Sequence, residues 1–318
     1  MPAGRRPDIL VVMADQMVPS ALPFHGHPVT QTPAMSWLAE SGVIFDAAYT
    51  ASPLCSPGRA SFMTGLLPSR TRTYDNAAEF TSEIPTFAHY LRRAGYRTVL
   101  SGKMHFCGPD QLHGFEERLT TDIYPADYGW TPDWDRPHER PSWYHDMSSV
   151  IDAGPCVRSN QLDFDDEVAF AAERSLFGHI RSADERPFCY VVSFSHPHDP
   201  FAIPRKWWDL YRDEDVPMPD TGYEEASLHP HELRLRAVCA MNGAIGAMNG
   251  KNNTAPTILK SACATATRWA SRGAPMDEKS AAALLPMFAP KMTGSASASG
   301  TSPWAANVIA RPIVPALD

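Results

Sequence analysis

Across residues 1–241, short continuous apolar runs alternate with segments whose apolar positions recur at helical spacing. Pro7 to Met13 is rich in β-branched residues and stops at Asp15-Gln16, which predicts a first strand with polar residues at its carboxyl end. Thr32 to Gly42 has Thr32 as an N-cap, Pro33 at the first helical position and Gly42 as a stop, so it predicts a helix. Val43-Ile44-Phe45 then predicts the start of another strand. Pro57 to Gly65 reads as a helix that Gly65 ends, and Thr86 to Gly95 as an amphipathic helix feeding a strand from Tyr96 to Leu100. Residues 109–160, dense in Pro, Trp, Tyr and Asp, predict a long ordered excursion of the kind that carries specificity. Asp163 to Phe177 predicts a helix and Pro187 to Phe194 a strand, with Ser195-His196-Pro197-His198-Asp199-Pro200 at its end. The alternation predicts an α/β fold, a mixed and mostly parallel sheet flanked by helices. Such sheets bind ligands at the carboxyl ends of their strands. Three of those ends deliver Asp15, Lys103 with His105, and His196 with His198.

From about residue 242 the texture shifts to Ala, Ser, Thr, Asn, Met and Pro with weak periodicity. All 12 histidines and all 10 tyrosines precede that point, and the remainder holds only Asp277, Glu278 and Asp318 as acids. The reading is therefore an α/β domain over 1–241 and a low-order tail over 242–318. With 318 residues and 43 % apolar content the chain can bury a sizeable core. A net charge of −8 argues against a nucleic-acid partner while leaving room for a local positive pocket. No apolar run approaches the roughly 18 residues of a membrane span, and Asp15 cuts short the run after Pro7, so a cytoplasmic protein is expected. The 6 cysteines lack CxxC pairing and read as reduced thiols, for which the ordinary role is that of a small buried hydrophobe.

Cys55 is the exception. Cys55-Ser56-Pro57-Gly58-Arg59, followed by Ala60-Ser61-Phe62-Met63-Thr64-Gly65, matches the Cys-x-Pro-x-Arg signature of the sulfatases. Asp15 lies about forty residues upstream and Lys103-Met104-His105 about fifty downstream, as in that family. Alone, each has an ordinary reading: a turn-capping Asp, a surface Arg, a buried thiol. Together they make the chain resemble a sulfatase of the alkaline-phosphatase-like superfamily, and within it the choline-sulfatase-like branch, which shares the Asp15-Gln16 pair and stretches around Asp75–Phe80 and Gly108–Trp134. One departure is Gly58, where bacterial members usually carry Ser or Ala.

The resemblance implies a chemistry. A maturation enzyme would read the unfolded segment and oxidise Cys55 to formylglycine. Of the two hydroxyls on the hydrated aldehyde, one attacks sulfur and the other drives release of sulfate. Asp15 and Cys55 would be metal ligands for a divalent cation, a hard ion such as Ca²⁺ suiting oxygen donors. Arg59 would hold the hydrate, Lys103 grip a sulfate oxygen, His105 bond a hydroxyl of the hydrate, and His196 meet the leaving-group oxygen as general acid. His198 and Asp199 read as structural. Lys103 and His105 would face one side by strand alternation. The substrate implied is a small-molecule sulfate ester, choline sulfate first, with Trp130 offering an aromatic face to a quaternary ammonium and Asn76 a polar contact. Trp143-Tyr144-His145 belongs to the same resemblance. Alternatives are an arylsulfatase, a phosphonate monoester hydrolase, or a catalytically inactive truncated relative. No nucleic acid or membrane is implied, and the full-length form leaves room for a homo-oligomer.

A complete enzyme of this type is longer and has an Asp-His-Gly-Asp segment that completes the metal site. No such segment stands here. The expectation is a tail translated out of frame: bases encoding Thr267-Arg268-Trp269-Ala270-Ser271 can be regrouped to read Asp-Ala-Leu-Gly-Glu.

Overall fold

The structure, a computed structural model, describes residues 6–131, 133, 135–136, 153–217 and 229–230. The Trp143-Tyr144-His145 cluster, the 241/242 boundary and the tail lie outside the described residues. Ile9–Ala14 forms β1, Pro33–Ser41 α1, Cys55–Thr64 α2, Pro68–Thr71 α3, Phe87–Arg93 α4 and Arg97–Gly102 β2. The two-residue β3 is Glu117–Arg118, followed by β4 at Gly154–Cys156 and α5 at Asn160–Arg181. β5 is Phe188–Phe194, β6 is Ala202–Pro204 and α6 is Arg205–Trp208.

The main sheet has the order β1-β5-β2-β3, all parallel, and β4 pairs with β6 in a second, two-stranded sheet. The register aligns three carboxyl ends: Ala14 lies opposite Phe194, and Gly102 opposite Ser193. Asp15, Lys103 and Ser195 therefore leave the sheet along one edge. Both faces of the sheet are covered, which is why its strands are nearly continuous apolar runs rather than alternating ones. Val11, Met13, Leu100 and Val191 pack with Ala60 and Met63 of α2 and Ala88 of α4. On the opposite face Leu10, Val12, Val192 and Phe194 meet Phe164, Val168 and Ala172 of α5. At 22 residues α5 is the longest helix described, and its ends match its dipole. The Ser159 side chain accepts the Leu162 N–H, Asp163 sits in the first turn, and His179 and Arg181 in the last.

The predicted strand starts at Pro7, Tyr96 and Pro187 and the predicted helices from Thr32, Thr86 and Asp163 all correspond to observed elements. Val43-Ile44-Phe45 does not. These three are in no strand and are 54 %, 38 % and 61 % exposed. A β-branched run becomes a strand only where a neighbour takes up its ladder, and none of the described segments does so here.

Candidate active site

Tight backbone approach sets the edge. Gly102 has φ 101°, and a Cβ there would lie 1.9 Å from the Ser193 carbonyl oxygen, so only glycine lets β2 pass β5 at this point. The next residue, Lys103, donates its N–H to that same Ser193 oxygen (2.9 Å). Arg59, on the first turn and a half of α2, threads beneath. Its Nη1 donates to the Lys103 carbonyl and to Ser193 Oγ (2.9 Å), and the side chain is almost wholly buried. Its Nη2 lies 3.7 Å from Asp15 Oδ1.

Cys55 opens α2, with its sulfur 3.8 Å from both Asp15 oxygens. The helix has no side-chain cap from Leu54, and the orphan N–H of Ser56 is instead taken by Asn76 Oδ1 (3.0 Å). Asn76, expected to touch substrate, thus supports the turn that carries Cys55. Gly58 lies one turn further on, where a Cβ would stand 3.1 Å from the Ser52 carbonyl and 3.4 Å from Thr50 Oγ1. The bend before α2 sits close enough to fill the place of the side chain usual in relatives.

Lys103 has no exposed surface, and its ammonium is paired with Asp15 Oδ2. Burial works against that charge, but the Asp15 carboxylate outweighs it and moves the Lys103 pKa up. Burial likewise would raise Asp15, yet the charges of Lys103, Arg59 and His198 hold it at about 2. The Cys55 thiol behaves the same way: burial pushes it up, while the neighbouring His105 and His198 rings bring it down to about 6. A low-pKa thiol beside cationic groups is a reactive one. In the chemistry expected of this position, Sγ stands where the reactive oxygens of formylglycine would be.

The two histidine-bearing turns differ from expectation. After Lys103 the chain is not an extended strand, because His105 has φ 55°, in the left-handed region. That turn, rather than strand alternation, brings the His105 ring to Cys55. It is held by Asp122, whose Oδ2 accepts the N–H groups of Met104 (2.8 Å) and His105 (2.7 Å) and pairs with Arg118 (2.9 Å). Burial would raise Asp122, but Arg118 and those two amides hold it below the usual carboxylate range.

After β5, His196 is engaged by α5. Its Nδ1 donates to Asp165 Oδ2 of α5 (2.6 Å), and its own N–H reaches the same oxygen (3.1 Å). Its Nε2 is buried with no hydrogen-bond partner among the described residues. The residue that joins Cys55 and Asp15 is His198, with a ring nitrogen within 4.8 Å of the Cys55 sulfur and an Asp15 oxygen. Burial disfavours its charge, but hydrogen bonds with Asp199 and Cys55 raise its pKa to about 11. The structure thus brings His198, rather than the expected His196, to Cys55 and Asp15, and ties His196 to α5.

Trp130 does lie at the site. Its ring stands 5.5 Å from that of His105 and 5.0 Å from that of Tyr124. Tyr124, passed over in the sequence, is at the centre of this wall, 4.7 Å from His105, with the Lys103 ammonium 4.2 Å from its ring centroid. A separate cavity lies between Asp15, Gln16, Thr50, Cys55 and Arg59, and the Tyr124–Trp130 wall does not line it.

Asp15, Cys55 and His198 form the one metal-capable group among the described residues. Asp15 and the residue at 55 fit one side of a coordination sphere, whereas a protonated His198 has no lone pair to offer. A hard divalent cation takes six or more oxygens, and within this group Asp15 supplies its carboxylate oxygens toward them.

A family model described as "Sulfatase" matches residues 7–249. The chain is 53 % identical over 241 residues to a choline-sulfatase of Rhizobium meliloti (strain 1021), covering 74 % of this chain and 47 % of that protein. It is 28 % identical over 257 residues to an arylsulfatase of Clostridium perfringens, covering 76 % and 53 %. The solved phosphonate monoester hydrolase of Agrobacterium radiobacter superposes with a TM-score of 0.56 at 22 % identity, over 84 % of this chain and 58 % of that one, a likeness of fold. The chain spans about half the length of the curated relatives it matches.

Proposed function

The chain belongs to the sulfatase family, and on that premise we propose that its site is built for hydrolysis of a sulfate ester, choline sulfate before others. The observation that carries the reading is the meeting of Asp15, Cys55, Arg59, Lys103, His105 and His198 at one sheet edge. Oxidised to formylglycine, Cys55 would supply a hydrated aldehyde with one hydroxyl to attack sulfur and a second to release sulfate. Asp15, with that residue, would hold a divalent cation, which offsets charge on the sulfuryl oxygens.

The chain's own groups do the rest. Lys103 and Arg59 place fixed positive charge where the sulfuryl oxygens become more negative, and buried surroundings strengthen both. His105 orients the hydroxyl at position 55. His198, carrying its proton, gives it to the departing oxygen of the ester. Trp130, packed against His105 and Tyr124, offers an aromatic face, which suits the quaternary ammonium of choline. Cys55, Cys107 and Cys189 carry free thiols, in keeping with a reducing cytoplasm.

The test compares turnover of choline sulfate, an aryl sulfate and a phosphonate monoester by the full chain, alongside mass spectrometry of the Cys55 peptide. Formylglycine at position 55 with preference for choline sulfate supports the reading. A second reading is a relative that binds sulfate without turning it over. An unmodified thiol and absent turnover of all three esters would favour it.

A further inference from the structure

Lys103 poses a problem that Asp15 alone does not solve. Its ammonium is completely buried, and a buried lysine has four rotatable bonds along which to swing. Asp15 attracts it from one direction. For Lys103 to meet a sulfate oxygen as well, something must fix the other side of the ammonium without neutralising it. A second carboxylate would bind it too firmly and repel an anion. An aromatic face attracts a cation while adding no charge.

Tyr124 supplies that face. Its ring centroid lies 4.2 Å from the Lys103 ammonium, and the same ring packs against His105 at 4.7 Å and Trp130 at 5.0 Å, with His198 at 6.3 Å. The ring is also anchored. Two residues before it, Asp122 is bonded to the backbone of Met104 and His105, and Arg118 ties Asp122 to the carbonyl of Thr120 (3.1 Å) and both oxygens of Gln111. The arm from Asp122 to Tyr124 therefore grips the Lys103–His105 turn by its backbone and by its side chains. We propose that Tyr124 is a positioning residue of this site, its ring holding the Lys103 ammonium and the His105 imidazole toward the place a sulfate group occupies. The inference deepens the functional reading and rests on it for the role of Lys103.

The consequence is measurable without turnover, because sulfate is the smallest ligand that Lys103 would grip. Lys103 and Arg59 outnumber Asp15, so the site attracts an anion. Calorimetric titration of the full chain with inorganic sulfate compares the wild type with Tyr124→Phe, Tyr124→Leu and Tyr124→Met. Phe keeps the ring face and should bind within about twofold of wild type, whereas Leu and Met should weaken sulfate at least about tenfold, as loss of a desolvated cation–π contact does. Melting curves identify the folded variants, and Met, with its flexible chain, serves if Leu disturbs packing. A folded Leu or Met variant with wild-type sulfate affinity overturns the proposal, and so does an equal loss in Phe. A wild type that binds sulfate yet hydrolyses no sulfate ester sinks the activity proposed above and leaves this comparison of affinities intact.

Discussion

The turns that follow β2 and β5 are built alike and end differently. Each is held by one buried carboxylate brought from elsewhere, Asp122 for residues 104–105 and Asp165 for residues 195–196. Asp122 takes backbone N–H groups and an arginine, and leaves the His105 ring to face Cys55. Asp165 accepts from the Ser195 N–H (2.7 Å) and hydroxyl (3.0 Å), and also from the His196 ring. His196 is tied to α5 through its Nδ1, and the histidine found beside Cys55 and Asp15 is His198. The lesson is that a carboxylate beside a histidine is informative only once it is known which atoms it occupies.

The sharpest way to break the contrast is to remove the two histidines after β5 separately. His198→Ala should lower turnover of choline sulfate by roughly 10²–10⁴, the range for a lost general acid. His196→Ala should lower the melting temperature and leave the matured protein's kcat nearer wild type. The reverse pattern in steady-state kinetics would falsify the assignment. Next in size is the brace itself. Asp165→Ala strips four hydrogen bonds from the turn, strands the buried His196 ring and should cost about 3–5 kcal/mol in urea unfolding. An unchanged denaturation midpoint would count against it.

A histidine outside both turns supplies the control for acid. His113 is fully buried, stacked on Phe80 at a centroid distance of 4.0 Å, and burial depresses its pKa from 6.5 to about 4. The unfolded chain takes up that proton first as pH falls. The stability is thus complete above about pH 6.5 and lost progressively toward pH 4, on the order of 3 kcal/mol in all. His113→Leu should flatten that part of the stability profile, and a profile with undiminished slope would show another group to be responsible.

Thiol titration sharpens the contrast with a smaller effect. In protein with Cys55 unoxidised, the pH dependence of alkylation should show a midpoint near 6, while Cys189, pushed up to about 12 by burial, stays unreactive. His198→Ala should raise the Cys55 midpoint by about one unit and His196→Ala should leave it in place. Equal shifts from both would erase the distinction. Smallest of all, Gly58→Ala should change stability by about 1 kcal/mol or less, because the new methyl needs Ser52 to yield only a few tenths of an ångström. A large loss in thermal denaturation would mean that the segment before α2 cannot give.

Much of this was legible before any coordinates. Apolar runs marked β1, β2 and β5, since a parallel sheet covered on both faces leaves that signature. The spacing of Asp15, the Cys55 motif and Lys103-Met104-His105 located groups that the structure brings together. The choice between His196 and His198 was not legible. Residues two apart share a face only in extended chain, and residues 195–200 form a turn. Asp165 sits on a helix thirty residues earlier in sequence than its partner Ser195, so nothing local announces it. Tyr124 could have been suspected from its neighbours, since Asp122 and Trp130 frame it in a stretch already singled out. Its contact with Lys103 is tertiary and had no periodic trace. Val43-Ile44-Phe45 misled because propensity cannot say whether a partner strand is at hand.

The position of β1 has a consequence for how such a site can be completed. β1 is the outermost member of its sheet among the described residues, and Asp15 follows directly from its last residue. The corner that gathers Asp15 and Cys55 therefore lies at an edge of the described sheet, not in its middle. Any segment zipped alongside β1 in the same direction would finish level with Ala14 and hand its own terminal side chains to Asp15.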